Sequence, residues 1–104
     1  MYRVTYQFHL KPNGEPEFER VVADWAHAMK HHDGFIAISL LRNVDDPHIF
    51  VAVSDWVSAE KYTAFHASAD HRRVADASAT LFFTDERHRY DLVYQATMRD
   101  GDAG

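Results

Sequence analysis

Apolar and polar residues alternate from Tyr2 to Leu10, with Tyr2, Val4, Tyr6, Phe8 and Leu10 on one side and Arg3, Thr5, Gln7 and His9 on the other. A period of two in aromatic and β-branched residues predicts a strand. Lys11-Pro12-Asn13-Gly14 ends it as a turn, because Pro has no ladder donor and Asn-Gly tolerates positive φ. The period then changes. Phe18, Val21, Val22, Trp25 and Met29 form one helical stripe. Glu15, Glu17 and Glu19 sit at its positive end, and Gly34 reads as its stop. Phe35 to Leu41 is nearly all apolar and predicts a strand buried on both faces. After a polar loop (Arg42 to Pro47), His48 to Trp56 predicts a second, with Ile49, Val51 and Val53 opposing Phe50 and Ala52. Ser58 is placed to N-cap a helix that presents Tyr62, Phe65 and Ala69. A break near Ala69-Asp70 leads to a further helical piece with Val74, Ala77 and Leu81 on one face. Thr84-Asp85-Glu86 reads as a loop, and Arg87 to Gln95 as a last strand with Tyr90, Leu92 and Tyr94 on one side. The tail over 98–104 carries no core pattern and is expected to fray.

The order is β-α-β-β-α-β, an α+β chain of the ferredoxin-like kind with a four-stranded antiparallel sheet, in one domain over residues 1–97. Helices on one side can cover only one sheet face. The middle strands are apolar on both faces, so the second face needs a partner, and a twofold homodimer packing sheet against sheet is the simplest one. Burial at roughly 25 cal/mol per Å² makes that worth many kcal/mol.

Composition narrows the function. The 104 residues are 46% hydrophobic and 26% charged, as in a globular domain. With no cysteine there are no disulfides, thiolate metal sites or thiol nucleophiles. The net charge of −5, with no basic run beyond Arg72-Arg73, argues against a nucleic-acid partner. Uncharged stretches such as Gly34 to Leu41 are far short of the roughly 20 residues that span a bilayer. The first residues hold no apolar signal core, so a cytoplasmic protein without a membrane partner is expected. His27 and His31 lie at i, i+4 near Asp24, a spacing that can bind a metal weakly. His27 is rotated about 200° from Trp25, however, so a solvated helix face explains the pair and no metal is expected.

The stretch from Phe50 to His66 includes a strand ending in Trp56-Val57-Ser58 and a following helix, and Ser68-Ala69-Asp70-His71 follows as a short break. Together with Phe18 and Gly34-Phe35, these residues resemble the antibiotic biosynthesis monooxygenase family over roughly residues 2–95. The resemblance implies a dimeric α+β barrel with a pocket between sheet and helices. It also implies oxidation of anthrones, quinols or related phenols by O2 without metal or flavin. Trp56 and Tyr62 match the anthrone-oxidising members. Ala52, Leu41 and Asp76 or Ala77 stand where those members carry Asn, His and Arg. A haem-degrading branch is a further alternative, but Gln7, Phe65 and Ala75 stand at its Asn, Trp and axial-His positions.

Cofactor-free oxygenation needs an apolar site, a proton acceptor and donors for a phenolate. Tyr62 and Trp56 can each donate a hydrogen bond from an aromatic ring. His66 lies at i+4 from Tyr62 and is the candidate base. Arg72 or Arg73 could hold the anion, and Trp25 and Phe65 could line the pocket. Each has a plainer reading: Trp56, Tyr62, Phe65 and Trp25 as core, His66 as a boundary residue, and Arg72-Arg73 as a solvated helix start. The resulting expectation is a monooxygenase acting on a small aromatic with O2 and no cofactor. The competing expectation is a cyclase-like or ligand-binding protein on the same fold.

Overall fold

The computed structural model describes residues 1–78 and 82–98. The chain runs β1 (Tyr2–Leu10), α1 (Glu15–Lys30), β2 (Phe35–Arg42), β3 (Ile49–Trp56), α2 (Ala59–His66), α3 (Ala69–Ser78) and β4 (Phe82–Asp91). All neighbouring strands are antiparallel, in the order β2-β3-β1-β4. This is the ferredoxin-like α+β arrangement that the periodicities predict, with the second helical region divided in two.

The local signals act at identifiable points. Asn13 takes the positive φ (64°) of the turn, and Gly14 caps α1. Glu15 and Glu19 pair with Arg42, tying the start of α1 to the end of β2. Ser58 accepts the Lys61 backbone N–H at 3.3 Å and starts α2. The break after α2 falls at Ala67-Ser68, earlier than the sequence suggests, because Ser68 Oγ accepts the His71 N–H at 3.2 Å and caps α3. Gly34 is not the helix stop. α1 ends at Lys30, and Gly34, at φ 87°, turns the chain into β2 while its carbonyl accepts the Val57 N–H at 2.8 Å. A Cβ there would run into the Lys61 side chain.

The alternation of β1 and β3 decides the core. Val4, Phe8, Leu10, Phe50, Ala52 and Trp56 are buried on the helix side. They form two adjoining apolar clusters, one around Phe8, Phe18 and Phe50 and one around Val4, Trp56, Tyr62 and Phe65. Tyr6 packs against both. Ala69 and Ala77, expected on the buried face, are exposed, and Val74 carries the contact.

The other face is less apolar than expected. Ile49, Val51 and Val53 are half-buried and Leu41 is exposed, but Ser39 and Asp55 interrupt β2 and β3, and Arg3, Thr5, Gln7 and His9 follow on β1. The polar row on β1 therefore separates an apolar patch on β2 and β3 from Tyr90 on β4.

β4 also departs from the sequence reading. It begins at Phe82, so the expected loop Thr84-Asp85-Glu86 lies inside the strand, where β1 supplies hydrogen-bond partners and a register shift beside Gln7/Phe8 absorbs one residue. It ends at Asp91 rather than Gln95, because β1 runs out at Tyr2; Leu92 N–H makes one last bond to the Met1 carbonyl at 2.9 Å. The expectations for Leu81 and for residues 99–104 lie outside the described residues. Among the described residues, no helix is long and apolar enough to cross a membrane.

Candidate functional site

The register of β1 against β4 pairs Tyr6 with Arg87, which puts both on the helix side of the sheet. The capped start of α2 turns Tyr62 inward, one helical turn after Ser58, and leaves it 5% exposed. His66 follows one turn later, with its ring 5.7 Å from the Tyr62 ring. Ser68 then folds α3 back so that His71 lies against His66, ring centroids 4.4 Å apart.

These elements converge on one cation. Arg87 Nη1 lies 3.4 Å from the Tyr62 hydroxyl and 3.4 Å from His66 Nε2. The Tyr62 and Tyr6 hydroxyls are also 3.4 Å apart. Arg87 donates, so the Nε2 facing it accepts, and that nitrogen carries the free lone pair of a neutral imidazole. The cluster sits at the open edge of the sheet, with Tyr62 buried and His66 and Arg87 exposed.

The electrostatics assign the protons. Burial pushes the Tyr62 hydroxyl well above its ordinary value, helped by Tyr6 and only partly opposed by Arg87. Tyr62 therefore stays a phenol and a donor. Burial, and then the Arg87 charge, lowers His66; burial, then His66 and Arg87, lowers His71. Both imidazoles are neutral near pH 7 and able to accept a proton. Arg87 is held cationic by its contacts with Tyr6 and Tyr62.

Of the residues singled out in the sequence, Tyr62 and His66 are brought together. Trp56 is fully buried beneath them, its ring 5.9 Å from Tyr62, and its N–H donates to Ser54 Oγ at 3.1 Å. The indole hydrogen bond is thus made inside the core. Phe65 is buried too, stacked on Trp56 at 5.3 Å and meeting His71 edge-on at 5.4 Å. Trp25 lies in the neighbouring cluster, 5.5 Å from Phe8. Arg73 is exposed and pairs with Asp70 at 3.7 Å, and Arg72 is exposed on α3. The arginine that reaches Tyr62 and His66 is Arg87, and Tyr6 joins it. Neither is singled out by sequence spacing. The signal available was the strand phase, which places Arg87, Arg89 and Asp91 opposite Tyr6, Val4 and Tyr2.

Polar groups also meet away from this cluster. His27 and His31 are exposed and meet edge-to-face at 4.9 Å. Among the described residues, no three His, Asp or Glu side chains gather as a metal-holding group. On the outer face, Arg3 makes a two-pronged bond to Asp55 (2.6 and 3.0 Å), beside an open groove of about 570 Å³ lined by Arg3, Thr5 and Tyr90 to Tyr94.

With this geometry in place, the chain can be set beside known proteins. Its fold superposes on SnoaB, a cofactor-independent oxygenase from Streptomyces nogalater, with a TM-score of 0.83 for a single-residue mutant, 22% identity, and coverage of 90% of this chain and 94% of that one. A second structure of the same oxygenase gives a TM-score of 0.82 at 21% identity, again covering 90% and 94%. A conserved protein from Methanosarcina mazei Go1 is similar at a TM-score of 0.79, 16% identity, and 86% and 89% coverage. At these identities the likeness concerns the fold. No curated protein matches the chain. The sequence model of the antibiotic biosynthesis monooxygenases matches residues 1–77, about three quarters of the chain, and the chain therefore belongs to that family.

Proposed function

We propose that this protein is a cofactor-independent monooxygenase that oxidises an electron-rich aromatic, an anthrone, quinol or polyketide phenol, with O2. The observation that carries this reading is the meeting of a protonated phenol donor, Tyr62, and a neutral imidazole acceptor, His66, on one edge of the apolar core. The family membership and the likeness to a cofactor-independent oxygenase support it.

In this reading the substrate lies over the edge formed by Tyr6, Tyr62 and His66, with Trp56 and Phe65 stiffening the wall behind. His66 takes the acidic proton, and Tyr62 donates to the oxygen on which negative charge develops. The electron-rich anion then reduces O2. For an anthrone-type methylene, CH2 and O2 become C=O and water: two C–H bonds break, one oxygen atom stays on carbon, and the other leaves with both hydrogens. The carbanion supplies the electrons, so no further reductant is needed.

The working unit is a homodimer joined through the outer sheet face. Its support is the apolar patch of Leu41, Val51, Val53 and Ile49 on β2 and β3. A cyclase-like or ligand-binding protein would use the same donors without O2. Turnover of an anthrone and of a hydroquinone, with and without oxygen and without added flavin, separates the two. Oxygenation that requires both protein and O2 is expected, and protein-dependent conversion that proceeds equally without O2 would overturn the proposal.

A further inference from the structure

Arg87 occupies the position on which the chemistry of Tyr62 and His66 depends. Its Nη1 faces the Nε2 lone pair of His66, the same lone pair that has to receive the substrate proton. It also faces the Tyr62 hydroxyl. Both separations, 3.4 Å, are at the long end of hydrogen bonding, so these contacts are weak and readily exchanged for a shorter, charge-assisted one.

The surroundings are those of an anion site. The groups facing Arg87 are phenols and imidazoles: Tyr6 from β1, Tyr62 and His66 from α2, and His71 from α3. Arg89 and Asp91 continue the same face of β4, opposite Val4 and Tyr2. The guanidinium is a permanent charge at the edge of an apolar cluster, where an oxygen anion would find donors from Arg87 and Tyr62 together. This arginine comes from β4, whereas on α3 Arg73 pairs with Asp70 and Arg72 is exposed.

We propose that Arg87 makes this site select an acidic phenol or enol and hold it ionised: the substrate oxygen takes the Arg87 N–H away from His66 and so frees His66 Nε2 to receive the substrate's own proton. The proposal rests on the roles given above to Tyr62 and His66. The proton leaves the substrate O–H for His66 Nε2, and the charge left on the substrate oxygen is held by Arg87 and Tyr62. Binding and activation of the base are then one event: until an acidic oxygen draws Arg87 away, the base stays occupied.

The test uses 4-nitrophenol without O2, so that no oxygenation consumes the probe, and its anion absorbs in the visible. The wild-type protein is expected to bind the anion in preference to the neutral phenol, so the bound probe ionises at a lower pH than the free one. Nitrobenzene serves as the uncharged control. Arg87→Gln should weaken nitrophenolate binding about ten- to hundredfold, the range for a hydrogen bond to a charged group, and leave nitrobenzene binding unchanged. Arg87→Lys should keep most of the preference for the anion. The His66 Nε2 resonance should move when nitrophenolate binds to wild type and stay in place in Arg87→Gln. Equal nitrophenolate affinity in wild type and Arg87→Gln, or equal losses in Arg87→Lys and Arg87→Gln, would overturn the proposal. If anion selection holds and O2-dependent turnover is absent, the oxygenase reading fails and the anion site stands. If turnover holds and Arg87→Gln binds the anion normally, the reverse follows.

Discussion

The two faces of the sheet use the same strands for different ends. On the helix side, β1 and β3 bury Val4, Phe8, Phe50 and Trp56, and the cluster of Tyr6, Tyr62, His66 and Arg87 sits at the rim by β4. On the outer side the apolar residues Val51, Val53 and Leu41 adjoin a bidentate ion pair, Arg3–Asp55, in which Asp55 is 14% exposed. The contrast teaches that charge has two uses in one sheet. Arg3 has a carboxylate and is spent on structure. Arg87 has hydroxyls and an imidazole and remains able to take up an anion.

The largest expected effect tests which face is the core. Trp56→Ala removes a fully buried indole together with its bond to Ser54, and should lower the unfolding free energy by about 3–5 kcal/mol in a urea titration. A loss under about 1 kcal/mol would mean that the helix-side face is not where the stability lies. Next comes the outer face. Val53→Asp, which sets a carboxylate in the middle of the β2–β3 patch, should weaken self-association by about 3 kcal/mol, over a hundredfold, with the fold retained. Light scattering that shows an unchanged mass over a dilution series would break the comparison between a core face and a docking face.

Tyr62→Phe addresses the rim alone. The ring stays and the hydroxyl goes, so turnover should fall by about 1–2 kcal/mol, or five- to thirtyfold, while the melting temperature barely moves. A large loss of stability with normal turnover would place Tyr62 in the core only. The smallest effect concerns pH. His66 and His71 have pKa values below the ordinary 6.5 in the folded chain. As pH falls through 6.5 the unfolded chain takes up protons first, so their contribution to stability is complete above that value and declines below it. Melting temperature should therefore drop between pH 7 and about 5.5, and less so in His71→Gln, which removes one of the two groups. A drop of equal size in His71→Gln would exclude His71 as a source.

The legible parts of the chain were those governed by neighbours in sequence. The period of two in β1, the stripe Phe18-Val21-Val22 in α1 and the Ser58 cap all act within a few residues, and each element formed where these signals lay. Tyr62 and His66 could be paired because four residues make one helical turn. The boundaries of β4 could not be read, because Thr84-Asp85-Glu86 looks like a loop until β1 pairs with Thr84 and Glu86 and a register shift takes up Asp85.

By itself, then, the sequence determined the order of elements, the ferredoxin-like class and the placing of Tyr62 and His66 one turn apart on α2. Periodicity and capping are short-range, and side chains one helical turn apart share a face whatever surrounds them. Only the tertiary structure decided that Arg87 comes within reach of Tyr62 and His66, and that Tyr6 stands beside it. Those residues come from strands 81 positions apart, and the pairing register of β1 with β4 is what brings them together.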